Sequence, residues 1–585
     1  MTGVLRIANC SGFYGDRAAA LREVVTGGPV DVVTGDYLAE LTMLILYRAR
    51  LKDPTRGYAT TFLRQLEGML GEVADRGIKV VVNAGGLAPA ACADAVRALA
   101  DRLGVSLAVA HVEGDDLLDR VGTVAFDNLD TGEALGTRTP LTANAYLGAW
   151  GIASALTAGA QVVVTGRVTD ASLVVGPAAA HFGWARDDWD RLAGAVVAGH
   201  ILECGTQTTG GNYSFVADEI AQPLHPGCPL AELADDGSCV ITKHEGTGGA
   251  VTVGTVTAQL LYEIGGPRYL GPDVVTRFDT IAVTQDDTDR VRVSGVRGEP
   301  PTGQVKVCLN LLGGFRNRME FVLTGLDIEA KAELALAGLR DAYPHPFTHR
   351  LVRRDQPDAP TNEQASALLR VDVRGDDPKA VGRAFSGAAV ELALASYPGF
   401  TLTTQPGDAT PYGIYWPALV DASEVEHVVV HHDGRREVIA HTPASFPITA
   451  DADAQAGAPS GSDHDGGDRE AGHGGATRRV PLGTLIGARS GDKGGNANVG
   501  FWARTDDAAE WLLTWLTEER FRALLPEADG LAVDVHPLPN LRAVNVVVHG
   551  LLGEGVASST RFDPQAKGLG EYLRSRLVDL PMSLQ

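Results

Sequence analysis

Short runs of valine and isoleucine alternate with longer amphipathic segments through the first third of the chain. Five such runs lie at 5–8, 30–34, 80–83, 107–110 and 162–165. Runs of this kind predict strands that are buried on both faces, and the spacing of apolar residues at 88–103 and 143–156 predicts helices that cover them. Because parallel strands need crossover connections, which those helices supply, the pattern predicts a doubly wound, mostly parallel α/β sheet.

The pattern changes near residue 281, where closely spaced alternating runs replace the strand–helix alternation. These runs predict antiparallel strands at 281–284, 290–296, 305–312 and 319–323. A stretch with almost no large apolar residue follows and predicts a flexible linker, because it cannot bury enough surface to offset its ordering entropy. A β-α-β succession then predicts a small ferredoxin-like domain. The expected domains are a doubly wound α/β domain at 1–280, an α+β subdomain at 281–449, the linker at 450–479 and the ferredoxin-like α+β domain at 480–585.

Charge and cysteine content exclude several classes of partner. The 585 residues carry a net charge of −23, which repels nucleic-acid phosphates and anionic lipid, so we expect neither nucleic acid nor a membrane as partner. The six cysteines form no C-x-x-C pair and indicate free thiols in a reducing compartment. The N-terminus has no leader-like pattern, and no apolar window reaches the length that spans a bilayer. A cytoplasmic protein is expected.

Polar turns follow the predicted parallel strands. Ligands of open parallel sheets bind beyond the carboxyl ends of the strands, so these turns predict a polar cleft for an anionic group. Neither G-x-G-x-x-G nor G-x-x-x-x-G-K-[ST] occurs, so no dinucleotide or ATP site is expected. The candidate substrate-binding residues in these turns are Ser11, Asp36, Asn83, Gly85, Gly86, Arg167 and Asp170.

Two further clusters contain candidate catalytic groups. Glu203 lies in an otherwise apolar segment and is a candidate general acid or base, while Cys204 is either a nucleophile or a small buried apolar residue. Lys243 is a candidate anion clamp and His244 a candidate proton shuttle, or else a structural residue of a turn. Nearby candidates for substrate binding are Asn212, Thr247 and Gly248.

A dense polar segment in the C-terminal domain predicts an anion-recognition or active-site loop. It combines arginine, aspartate, lysine and two asparagines with four glycines, more donors than a plain hairpin turn needs. No spacing of His, Cys, Asp or Glu fits a standard zinc or EF-hand site, so no metal is assigned. Its candidate binding residues are Arg489, Asp492, Lys493 and Asn496.

Taken together and in this order, five motifs resemble the acyclic terpene utilisation protein A family. They are Ser-Gly-Phe-Tyr-Gly-Asp-Arg at 11–17, Gly-Arg-Val-Thr-Asp-Ala at 166–171, Glu-Cys-Gly at 203–205, Gly-Thr-Gly-Gly at 246–249 and Arg-Ser-Gly-Asp-Lys-Gly at 489–494. The resemblance covers nearly the whole chain except the linker and implies a ferredoxin-like C-terminal domain. It also implies a setting in the catabolism of citronellol, geraniol and related branched acids, which proceeds through acyl-CoA thioesters.

These observations lead to three hypotheses about function. The first is a cytoplasmic enzyme, most simply a lyase, that acts on a branched-chain or terpenoid acyl-CoA by hydration/dehydration or C–C lyase chemistry. In it, Glu203 or His244 is the base, and CoA is part of the substrate, with no other cofactor. The second is a non-catalytic subunit or scaffold of an acyl-CoA catabolic complex, and the third is a hydrolase with Cys204 as nucleophile. A homo-oligomer is expected.

Overall fold

The structure is a computed structural model that describes residues 3–442 and 476–584. Its α-helices in chain order are α1 (Ala20–Gly27), α2 (Glu40–Lys52), α3 (Thr60–Glu67), α4 (Leu70–Asp75), α5 (Pro89–Leu103), α6 (Trp150–Thr157), α7 (Ser172–Phe182), α8 (Trp189–Glu203), α9 (Val216–Glu219), α10 (Val253–Leu260), α11 (Ile328–Ala342), α12 (Phe385–Glu391), α13 (Asp506–Trp515), α14 (Glu518–Leu524) and α15 (Leu569–Arg574).

The strands form several sheets. In chain order they are β1 (Leu5–Asn9), β2 (Val32–Gly35), β3 (Lys79–Val82), β4 (Val109–Glu113), β5 (Pro140–Ala145), β6 (Val162–Thr165), β7 (Pro229–Leu233), β8 (Cys239–Lys243), β9 (Arg268–Tyr269), β10 (Val275–Arg277), β11 (Ala282–Asp287), β12 (Arg290–Ser294), β13 (Arg297–Glu299), β14 (Gln304–Thr324), β15 (Thr348–Val352), β16 (Ser366–Gly375), β17 (Thr401–Leu402), β18 (Thr410–Asp421), β19 (Val428–Val430), β20 (Arg436–Val438), β21 (Thr477–Pro481), β22 (Ile486–Lys493), β23 (Asn496–Ala503), β24 (Val533–Leu538), β25 (Ala543–Val548) and β26 (Leu577–Pro581).

The largest sheet confirms the predicted mixed α/β class. Its order is β11-β12-β8-β7-β1-β2-β3-β6-β4-β19-β20, and the five predicted Val-rich strands form its parallel centre as β1-β2-β3-β6-β4. The strands that flank this centre on both sides are antiparallel. The sheet is therefore mixed, with its parallel part in the middle.

Both faces of the parallel centre are covered, which explains the continuous apolar runs in the sequence. Val80, Val82 and Val164 pack into one core with residues of α1, α3 and α5. Val81 and Val163 are fully buried outside that core, because successive side chains of a strand point to opposite faces. On their side α7 contacts β1, β2 and β3, and α6 contacts β6. Two helical layers thus enclose the sheet.

Several predicted elements differ from the observed ones. The helix predicted at 143–156 begins only at Trp150, because 140–145 forms β5 and pairs with β14. The C-terminal part has two consecutive helices, α13 and α14, since Thr517 caps the second by accepting a hydrogen bond from the Arg520 amide. The strands near 281–294 extend the large sheet as β11 and β12. Long-range pairing explains the differences at 143–156 and 281–294.

Contacts divide the chain into two units. The first comprises Met1–Asn310, Tyr415–Val556 and Asp563–Gln585, and the second comprises Leu311–Ile414 and Ala557–Phe562. In the second unit, β15-β16-β14-β17 form an antiparallel sheet whose core includes α11 and α12. The predicted linker lies outside the described residues as far as 475, and β21 begins at Thr477.

The C-terminal part contains a four-stranded antiparallel sheet, β22-β23-β25-β24, within the first unit. The loop predicted at 487–498 is wrong, because all of it except Gly494–Gly495 belongs to β22 and β23, which pair as far as Lys493 and Asn496. The connection is only Gly494–Gly495, with Gly494 at φ +64°, a conformation that glycine adopts without strain. The polar side chains therefore project from a rigid hairpin.

Helix length and apolarity also bear on membrane crossing. Within residues 3–442 and 476–584, every helix is too short or too polar to span a bilayer.

Candidate functional site

The turns after β2, β3 and β6 meet at the carboxyl edge of the parallel strands. Asn83 Nδ2 donates to Asp36 Oδ1 at 2.6 Å, and Asn83 Oδ1 accepts from the Tyr37 amide at 2.7 Å. Arg167 Nη1 donates to the Leu38 carbonyl at 3.2 Å. Three turns that are far apart in sequence thus come together, as parallel strands require.

Arg167 is the cation at the base of this edge. It is only 2% exposed, forms an ion pair with Asp170, and its guanidinium lies 4.4 Å from the centre of the Tyr146 ring. Its Nε donates to the Val168 carbonyl at 2.9 Å. Burial opposes the charge, but Asp170, Tyr146 and Asp36 outweigh it and raise the pKa of Arg167, so the guanidinium stays ionised.

Four carboxyl groups, Asp36, Glu40, Asp170 and Glu203, interact with the charge of Arg167. A fifth, Glu263, interacts with Glu40, Glu203 and Asp170. Burial raises the pKa of Asp36, Glu203 and Glu263 well above the ordinary range, and repulsion among these acids raises it further. At Glu40, burial opposes ionisation but Lys306, at 3.7 Å, lowers the pKa. Protonated acids and an ionised carboxylate therefore share one site, an arrangement found in acid–base catalysis.

Glu203 is the most enclosed of these acids. Its side chain is 8% exposed, and Oε1 lies 3.0 Å from Nδ1 of His200. Its Oε2 is buried without a hydrogen-bond partner, whereas its backbone carbonyl accepts from Asn9 Nδ2 at 2.9 Å. Burial lowers the pKa of His200 to about 4, so the imidazole is neutral at pH 7 and provides no counter-charge. One polar oxygen is thus held inside the site with nothing bound to it.

Two lysines of other elements, Lys306 of β14 and Lys493 of β22, belong to the same site. Lys493, at the tip of the C-terminal hairpin, donates to the Glu263 carbonyl at 2.8 Å and lies 5.2 Å from the Tyr269 ring centre. Burial and the neighbouring Lys306 lower the pKa of Lys493, although Glu263, Glu203 and Glu40 oppose this. The C-terminal domain therefore contributes directly to the site.

The exposed fractions describe a cleft. The side chains of Glu263, Glu40 and Lys306 keep 34%, 29% and 24% of their surface in solvent, whereas Glu203 and Arg167 are nearly covered. The former lie at the opening and the latter form the floor. The aromatic residues that line the cleft through contacts with these cations are Tyr146, Tyr269, Tyr415 and Tyr262.

Two further predicted residues, Asp492 and Arg489, lie beside the cleft. Lys567 is 3.4 Å from Glu263 and 3.9 Å from Asp492, and burial with repulsion from Glu263 raises the pKa of Asp492 to about 8. Arg489 lies 4.6 Å from the Tyr262 ring centre, and its Nη1 donates to the Asn212 carbonyl at 3.5 Å. The predicted C-terminal cluster thus forms one side of the site.

Cys204 follows Glu203 in the chain. Burial and repulsion by Glu203 and Glu263 raise the pKa of Cys204 well above its ordinary value. A thiol of this kind remains protonated at pH 7 and is a poor nucleophile.

The turn from Lys243 to Gly248 is not part of the cleft. Lys243 forms an ion pair with Asp289 at 2.9 Å, and His244 Nε2 lies 2.9 Å from the Val24 carbonyl. Thr247 Oγ1 donates to the His244 carbonyl, and Gly248 packs tightly on the Leu224 carbonyl. Strand β8 lies three strands from β2, about 14 Å at ~4.8 Å per strand, which explains the separation.

Four more predicted residues have structural contacts. Ser11 Oγ donates to the Phe13 carbonyl at 3.0 Å, and Asn496 Nδ2 donates to Asp130 at 3.0 Å. A Cβ at Gly85 would lie 2.5 Å from the Thr165 carbonyl oxygen, and Gly86 adopts φ +51°. These contacts are local, and the glycines shape their turn.

Besides the lining residues Tyr262, Tyr269 and Tyr415, sequence reasoning missed six residues of the cleft. None belongs to a glycine-rich turn after a parallel strand, and only the pairing of Glu263 with a following Gly-Gly resembles the motifs that were used. The residues are Glu40, Tyr146, His200, Glu263, Lys306 and Lys567.

Metal binding and cavities do not account for the site. In the part of the chain that the structure describes, no group of three or more His, Cys, Asp or Glu residues could hold a metal ion. A cavity of about 30 Å³ near Asp273 and His427 has room for about one water molecule, and one of about 260 Å³ lies against α2 near Tyr47 and Thr142. Neither is lined by the acids of the cleft.

Asp115 contacts the backbone of Arg167, and its ionisation should make the stability of the fold depend on pH. Its Oδ2 accepts from the Arg167 amide and from Asn144 Nδ2, both at 2.9 Å, and burial raises its pKa from 3.8 to about 7. Because the folded-state pKa exceeds the unfolded one, this group favours folding fully below pH ~4, and its contribution is lost as the pH rises to ~7.

We therefore expect the pH dependence of stability between pH ~4 and ~7 to be shallower in Asp115→Asn, by at most about 1.4 kcal/mol per pH unit. The Asn144 amide can rotate so that its unpartnered oxygen accepts from the new amide. Urea unfolding of both proteins across this range measures the difference. Parallel pH profiles would contradict the assignment.

Comparison with protein families agrees with the motifs. Residues 5–431 match the model described as acyclic terpene utilisation family protein AtuA, and residues 480–579 match the AtuA ferredoxin-like domain. No curated protein and no solved structure matched the chain. Because the first match alone covers well over half of the sequence and includes the turns that build the cleft, the chain belongs to the acyclic terpene utilisation protein A family.

Proposed function

We propose that this protein is an enzyme that moves a proton on a branched-chain or terpenoid acyl-CoA thioester, in a hydration/dehydration or C–C lyase reaction. The observation that carries the proposal is Glu203, a buried acid with a raised pKa and an unpartnered oxygen, in the same cleft as a lysine with a lowered pKa. Groups shifted in this way are able to give or accept protons near neutral pH.

The roles follow from the charge state of each group. Burial raises the pKa of Glu203, which favours its protonated form and suits it to the role of the acid, while Lys493 and Glu40, whose pKa values are lowered, are the candidate bases. Burial raises the pKa of Tyr269, so this phenol keeps its proton and can donate to a developing thioester enolate. The Tyr146 hydroxyl instead donates to Glu40 Oε1 at 3.2 Å. His244, the other base considered from sequence, has no place in this scheme.

Two features support the substrate class. The name of the matching family refers to acyclic terpenes. The cations at the cleft opening, Lys306 and Lys567, suit a ligand with negative charge. The thioester itself comes from the family resemblance.

The two alternatives have less support. A scaffold gains nothing from burying three acids that repel one another, because each burial costs stability. A cysteine hydrolase needs a thiolate, whereas the pKa of Cys204 is raised.

Ligand-induced stabilisation tests the proposal. A branched acyl-CoA should raise the melting temperature of the wild type by mass action, and Lys493→Met should reduce that rise strongly and lower turnover about a hundredfold or more. The matched control is Lys331→Met, because the Lys331 ammonium also donates to a carbonyl, that of Thr324, but far from the cleft acids in sequence. No shift with any acyl thioester, or equal effects of both variants, would overturn the proposal.

A further inference from the structure

The sheet of the second unit has one apolar and one charged face. Side chains of Met319, Phe321 and Val371 on β14 and β16 face the core with α11 and α12. The alternate positions carry charges, and the strand register fixes their partners. The cross-strand pairs of this charged face are Arg316 with Arg374, Arg318 with Asp372, and Glu320 with Arg370.

Two of these pairs combine opposite charges, whereas the third combines two positive charges. Arg318 Nε lies 2.7 Å from Asp372, and Arg370 lies 3.2 Å from Glu320. Arg316 and Arg374 face each other directly, and within the described residues neither has a carboxylate at ion-pair distance. Like charges directly opposite each other on two strands destabilise a sheet, so the presence of this pair calls for an explanation.

The surroundings concentrate positive charge on one spot. Both guanidiniums lie near the ring of Tyr412, at 6.0 Å for Arg316 and 5.2 Å for Arg374. Burial and the neighbouring Arg374 and Arg318 lower the pKa of Arg316, and Asp372 opposes them. In a chain with a net charge of −23, an uncompensated arginine pair is conspicuous.

The segment Ala557–Phe562 borders the pair without neutralising it. Arg316 Nη1 donates to the Ala557 carbonyl at 3.0 Å, Arg374 donates to the Ser558 carbonyl, and Arg318 Nη2 reaches the Thr560 carbonyl at 3.4 Å. These bonds use one N–H of Arg316 and one of Arg374. Each guanidinium has five N–H groups, so it can donate to a further acceptor besides these carbonyls.

We propose that Arg316 and Arg374, with Tyr412 beneath them, form a binding site for the phosphate of a nucleotide. Planar guanidiniums bind phosphate oxygens in a bidentate manner, and a dianion placed between them removes their repulsion. ADP-like nucleotides, the class to which the nucleotide part of CoA belongs, are the expected ligands, and this choice rests on the proposed function. The inference that the arginine pair binds a phosphate group does not rest on the proposed function.

Calorimetric titration of the full chain with coenzyme A, ADP and inorganic phosphate tests the site. Coenzyme A and ADP should bind the wild type, and Arg374→Gln should weaken both by about tenfold or more. The control is Arg383→Gln, which removes the same charge from an exposed arginine paired with Asp408 in the same unit. Arg374→Lys keeps the charge without the planar fork and should give intermediate affinity.

Each outcome decides the proposal. Binding that Arg374→Gln loses and Arg383→Gln keeps supports it, and near-native melting of Arg374→Gln excludes misfolding. Binding of inorganic phosphate without either nucleotide overturns it, as does equal binding by all variants. These probes carry no acyl group, so binding should persist in Glu203→Gln, and a failure of the acid–base proposal would leave this result unchanged.

Discussion

Replacing Glu203 by glutamine should lower turnover of a branched acyl-CoA by about 10²- to 10⁴-fold while leaving the protein folded. Glutamine has the shape of the protonated acid, the form that burial favours, but it cannot give up or accept a proton. The substitution therefore removes the ability to transfer a proton and leaves the packing of the side chain unchanged. Steady-state kinetics with purified protein, together with a melting curve, measure both effects.

The matched control for this substitution is Glu391→Gln on the exposed surface of α12. It makes the same chemical change outside the cleft and should leave turnover within about twofold, since exposed substitutions of this kind have small effects. If Glu203→Gln retains wild-type turnover, Glu203 is not the proton donor.

Arg167→Met should destabilise the fold by about 3–5 kcal/mol, the loss expected when one partner of a buried ion pair is removed. Without the guanidinium, Asp170 loses its counter-charge, and the carbonyls of Leu38 and Val168 lose their donors. The repulsion among the cleft acids also grows, because Arg167 lowers the pKa of Asp36 and Glu203.

Urea unfolding followed by tryptophan fluorescence measures this loss. The double substitution Arg167→Met with Asp170→Asn should recover part of it, because it removes the unpaired charge together with its partner. A loss below about 1 kcal/mol in the single variant would mean that Arg167 is not the central counter-ion of the acids.

The parallel strands and part of the cleft were predictable from sequence for one physical reason. A strand that is buried on both faces has no polar positions, so β1, β2, β3 and β6 are recognisable as apolar runs. The carboxyl ends of such strands lie on one edge, which correctly brings together Asp36, Asn83, Arg167 and Asp170.

The rest of the cleft depends on long-range packing. Glu40 begins α2, Glu263 follows α10 in a left-handed conformation at φ +55°, and Lys306 lies on β14. No local pattern marks these positions as neighbours, because they meet only after the sheet and the C-terminal hairpin have assembled.

Two errors of interpretation have a common origin in glycine-rich segments. The turn at Lys243–Gly248 and the hairpin at Gly494–Gly495 look alike in sequence, with charged residues beside glycines. The first packs against other backbone segments and forms internal contacts, whereas the second places Lys493 in the cleft. Residue type alone does not distinguish them, since glycine serves both close packing and tight turns.

The central claim, that the buried acids of this cleft move a proton on a thioester, is tested most directly by hydrogen exchange in deuterated water. Both reaction types considered pass through an enolate-like thioester, so the wild type should incorporate deuterium at the carbon beside the thioester carbonyl of a branched acyl-CoA. Glu203→Gln should incorporate it far more slowly, as measured by mass spectrometry of the recovered thioester. Equal labelling by both proteins, or none by the wild type with any acyl-CoA, would contradict the account.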